Sequence, residues 1–66
     1  MKGKEFVKKL KRAGVTIIEG RGKGGHVLAV NGDRQTTIPT HGAKDISPEF
    51  LKALCKQLGL NPKDIL

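Results

Sequence analysis

Residues 26–39 read HVLAVNGDRQTTIP. The β-branched, mostly apolar run HVLAV predicts a strand over 26–30, and QTTIP predicts another over 35–39. Between them, NGDR carries the Asn-Gly pair that favours a tight hairpin turn. Pro39 has no N–H to give to a ladder, so it ends the second strand or confines it to a sheet edge. Upstream, VTIIE is short and β-branched and predicts a further strand over 15–19, joined to 26–30 by the loop GRGKGG. Three strands on short connections make an antiparallel meander.

The flanks are helical. In KGKEFVKKLKRAG, Phe6, Val7, Leu10 and Ala13 recur on one stripe at 3.6-residue spacing, with Lys4, Lys8, Lys11 and Arg12 clustered opposite. Glu5 and Lys9 stand one turn apart, within reach of an ion pair, and Gly14 supplies the left-handed stop. Downstream, Ser47 is a capping residue, Pro48 suits the first helical position, and Ile46 and Leu51 are spaced as a hydrophobic staple. Phe50, Leu51, Leu54, Cys55 and Leu58 then make the apolar stripe, and Gly59 ends it. NPKDIL repeats the entry signal over a shorter turn, with Asn61 capping Pro62. A chain of 66 residues supports one domain (1–66) with one small, mostly aliphatic core. Two helices must therefore share one face of the sheet. The expected fold class is α+β, an α-β-β-β-α double-stranded-RNA-binding-domain-like arrangement whose other sheet face is left to solvent or a partner.

Composition narrows the function. The net charge is +7, and residues 1–23 hold eight of the 13 cations with only two acids. A one-sided basic field favours a polyanion, whether nucleic acid, an anionic membrane or an acidic protein. No apolar run is long enough to span a bilayer and no signal-like segment leads the chain, so the expectation is a soluble, cytoplasmic protein. The lone Cys55 cannot form an internal disulfide, and no Cys/His cluster has metal-ligand spacing. The stretch GRGKGG leads into a strand rather than a helix and lacks a GK[ST] ending, which argues against a dinucleotide or ATP site. No cofactor and no metal are expected.

His26 is the chemical candidate. A neutral imidazole can take a proton in one step and return it in the next, as cleavage of RNA through its 2′-hydroxyl requires. Arg21 and Lys23 can neutralise phosphate charge, and glycine backbone can approach phosphate closely. The alternative for His26 is a solvated residue at a strand end. In a meander with a three-residue turn the start of the second strand lies opposite the end of the third, which places His26 and His41 at one end of the sheet. His41 then serves either as an acid–base partner or as a loop-fixing group, and Lys44 is either a phosphate contact or a solvated lysine.

These residues also carry a resemblance. R-G-K-G-G-H, residues 21–26, resembles the R-x-x-G-S-H segment of the HicA family of toxin–antitoxin ribonucleases. IPTHGAKDISPEFLKALCKQLGL, from Ile38 to Leu60, is similar to that family's strand, H-G-x-K-D-[LI] and helix pattern, and the opening helix falls in register. The resemblance spans nearly the whole chain. It implies metal-independent cleavage of messenger RNA and neutralisation by a HicB-type antitoxin. It makes His26 the catalytic residue and places Gly24 in its motif. Gly25 departs from the pattern, standing where Ser is usual, and Glu49-Phe50 replaces the commoner Gly-Thr. A non-catalytic RNA-binding module of the same fold is the second reading, and a basic adaptor for an acidic protein is the third.

Overall fold

A computed structural model describes residues 1–19, 25–40 and 45–66. The elements run α1 (Gly3–Arg12), β1 (Thr16–Ile18), β2 (His26–Asn31), β3 (Arg34–Pro39), α2 (Pro48–Gln57) and α3 (Pro62–Ile65). The strands form an antiparallel sheet in the order β1-β2-β3. This is the expected α+β, double-stranded-RNA-binding-domain-like arrangement.

Strand alternation sorts the sheet into two faces. Val27, Ala29 and Ile38 are buried on one face, and Ile17 packs against the same core. Phe6, Val7 and Leu10 of α1 and Leu51, Leu54, Cys55 and Leu58 of α2 close over them. Ile65 of α3 completes the cluster.

Both long helices stop in the same way. Gly14 and Gly59 take positive φ, 91° and 73°. In α1 the N–H of Val15 donates to the carbonyl of Leu10 and that of Gly14 to Lys11; in α2 Leu60 donates to Cys55 and Gly59 to Lys56. This is the Schellman pattern, which satisfies carbonyls that a helix end leaves orphaned. It also corrects the strand expected over 15–19. Val15 is held by the helix exit and buried, so pairing covers only Thr16–Ile18.

The hairpin turn is shorter than the three residues expected and differs in its chemistry. Asn31 pairs with Arg34, so the two-residue loop is Gly32-Asp33, with positive φ at Gly32 (64°) and not at Asp33. Glycine first and a negative φ second fit a type II′ turn, rather than the I′ turn that Asn-Gly suggests. Asn31 is thereby released for another task, and its Nδ2 donates to the carbonyl of Leu58 at 2.7 Å, tying the hairpin to the end of α2.

At the helix starts, Ser47 Oγ accepts from the N–H of Phe50 and Asn61 Oδ1 from that of Lys63, as their capping positions predict. Three further expectations fail. Ala13 is exposed because α1 ends there, and it borders a hollow beside Asp64 and Ile65 instead of filling the core. Phe50 is 46% exposed. At about 100° per residue it lies at the margin of the Leu51–Leu54–Cys55–Leu58 stripe, too far round to reach the sheet. Glu5 and Lys9 do not pair; the ion pair among the described residues joins the Met1 amine to Asp45 at 3.7 Å.

Candidate nucleic-acid interface

His26 is the first residue of β2 and is exposed. Its backbone is fixed on both sides. It pairs with Pro39 at the end of β3, and the N–H of Thr40 donates to the carbonyl of Gly25 at 2.7 Å. Gly25 itself has φ 105°, the conformation that turns the chain into the strand. In β2 His26 has the parity of Leu28 and Val30, so it stands on the sheet face opposite the helices.

That face has a definite character. Leu28 lies between Ile18 and Thr37, and Val30 between Thr16 and Gln35. Ile18, Leu28 and Val30 are half-buried, whereas Thr16, Gln35 and Thr37 are exposed. The result is an aliphatic strip edged with hydroxyl and amide groups, and one imidazole at its end. No element among the described residues packs over it.

Gly25 and His26 stand at the end of the sheet where β3 finishes. Arg21, Lys23, Gly24, His41 and Lys44 lie outside the described residues. The proposed neighbourhood of His26 and His41 rests on the strand register alone: Pro39, two residues before His41, is the partner of His26. Cys55 takes no part. It is fully buried, and burial pushes its thiol pKa up, which leaves it protonated and unreactive at neutral pH.

Two residues that support this end were missed in the sequence. Gly3 is buried against β3, and a Cβ built there would come within 1.9 Å of the Pro39 carbonyl oxygen. Lys2 forms an isolated bridge with Asp45, and the N–H of Ile46 donates to the Met1 carbonyl at 2.8 Å. The start of the chain thus braces both the exit of β3 and the approach to α2. A glycine at the first position of a helix, where it has poor propensity, was the available signal.

The fold and this face define a small basic α+β protein that presents a histidine beside a bare sheet surface. The family model for the HicA toxin of bacterial toxin–antitoxin systems matches residues 3–60, and the chain belongs to that family. A relative from Pseudomonas fluorescens (strain Pf0-1), described as "Probable mRNA interferase HicA", is 40% identical over 60 residues, covering 91% of this chain and 97% of the relative. No solved structure matches the chain. No helix among the described residues is long and apolar enough to cross a membrane.

Proposed function

We propose that residues 1–66 act as one domain, a cytoplasmic toxin that cleaves messenger RNA without a metal, with His26 as the catalytic acid–base group. The observation that carries this reading is the position of His26. It is exposed, held by strand pairing to Pro39, and set at the end of a sheet face that nothing described covers. Family membership and the relative's description support the substrate class.

The chemistry asks little of the protein beyond placement. A base removes the 2′-hydroxyl proton, the 2′-oxygen bonds to phosphorus, and the bond to the 5′-oxygen breaks as an acid protonates it. His26 serves one of these steps or both, and His41 is the supporting candidate for the other. Arg21, Lys23 and Lys44, with the backbone at Gly24 and Gly25, bind the phosphate and its developing charge. A HicB-type antitoxin is the partner that silences the site.

The test is His26→Ala assayed on RNA beside the parent. The expected loss is about 10²–10⁴-fold in cleavage rate, with an unchanged melting temperature because the side chain packs on little. A mutant that cleaves at the parent's rate refutes the role of His26. Parent activity that vanishes in EDTA refutes metal independence. Unaltered RNA binding with no cleavage by the parent would favour the non-catalytic module.

A further inference from the structure

The basic residues of α1 fall into two rows with different surroundings. Lys4, Lys8 and Lys11 recur at i, i+4 and i+7, one stripe of the helix about 10 Å long. All three are exposed, and with Val7 and Thr40 they line one groove. Lys9 and Arg12 lie further round. They line two hollows, one shared with Glu5 and with Lys8 of the first row, the other with Asp64.

The groove of the first row leads somewhere specific. Thr40, at its end, donates its N–H to the carbonyl of Gly25, the residue before His26. The lysine row is on the helix side of the sheet and His26 on the other, and the Gly25–Thr40 hydrogen bond joins the two sides at one end. We propose that Lys4, Lys8 and Lys11 form a phosphate track that delivers an RNA strand around this end of the sheet to His26. The inference rests on the reading of the protein as an RNA-cleaving toxin and extends its contacts beyond the loop cations. Charge complementarity selects the occupant. The stripe presents three ammonium groups, which suits a chain of phosphates. Glu19, also lining the groove, is the one acid along it among the described residues and opposes the same ligand.

Binding of a single-stranded RNA carrying 2′-O-methyl groups tests this, because that probe lacks the attacking hydroxyl and reports affinity without cleavage. Each phosphate contact contributes about 0.7 to the slope of log K against log salt for a single strand. Combined Lys4→Gln, Lys8→Gln and Lys11→Gln should lower the slope by about 2 and weaken binding about 100-fold at 0.1 M salt. Combined Lys9→Gln and Arg12→Gln should leave the slope unchanged, and Glu19→Gln should tighten binding. Circular dichroism confirms that these exposed substitutions leave the fold intact. An unchanged slope in the triple variant, or an equal fall in the Lys9/Arg12 variant, overturns the track. So does an unchanged RNA slope with lost affinity for an acidic antitoxin, which would make the row a protein-docking surface. These readouts are independent of His26→Ala, so the track and the catalytic assignment fail separately.

Discussion

At Gly25 the chain enters β2 with φ 105°, a conformation that side chains with a Cβ rarely adopt. The family's usual serine at this position is therefore not related to this chain by one missing hydroxyl alone; the backbone path itself suits glycine. Gly25→Ser and Gly25→Ala should each destabilise the protein by about 1–3 kcal/mol, the cost of holding a substituted residue at positive φ. Denaturant titration measures that loss. Comparing the two variants then isolates the hydroxyl. Cleavage by the serine variant above that of the alanine variant, at equal stability, would show that the oxygen assists the reaction. Equal cleavage would assign the family's serine a structural role.

Among the elements, α1 does more for the site than its cations suggest. Gly3 lets the helix start directly on the Pro39–Thr40 backbone, and Pro39 is the strand partner of His26. A methyl group at residue 3 must push α1 and the end of β3 apart. Gly3→Ala should cost about 1–3 kcal/mol, the range for overpacking, and lower the cleavage rate, whereas an alanine at exposed Glu5 should do neither. Thermal melts with single-turnover cleavage check both. This contact also marks where sequence reading stops. Periodicity, capping residues and glycine stops are local, so both helices, the meander and the Ser47 and Asn61 caps were legible; the register that sets His26 opposite Pro39 was not, because it depends on a two-residue loop where three were expected. Gly3 against Pro39 and Asn31 against Leu58 join residues far apart in the chain, and no local pattern announces them. Phe50 was misplaced because an apolar residue beside a buried stripe looks like part of it until the helix is seated on its sheet.

For the whole molecule, the decisive asymmetry is between two sides. One sheet face is sealed by helices, and the other carries Ile18, Leu28, Val30 and His26 with no cover among the described residues. The positive charge is concentrated in the first third of the chain. A toxin of this family works against an antitoxin, and these features set what that inhibitor must present. An acidic patch can replace RNA phosphates near the basic segment, while apolar groups can bury the aliphatic strip beside His26. A standard interface takes about 800 Å² from each partner, against a total surface of 4602 Å². One such contact can cover the sheet face and the imidazole without enclosing the molecule. The antitoxin complex should therefore form with a fast, salt-sensitive on-rate and exclude RNA. Hydrogen exchange should show protection centred on β2 and the segment leading into it. Protection confined to α2 and α3, with RNA still bound in the complex, would rule out occlusion and require an inhibitor that acts at a distance.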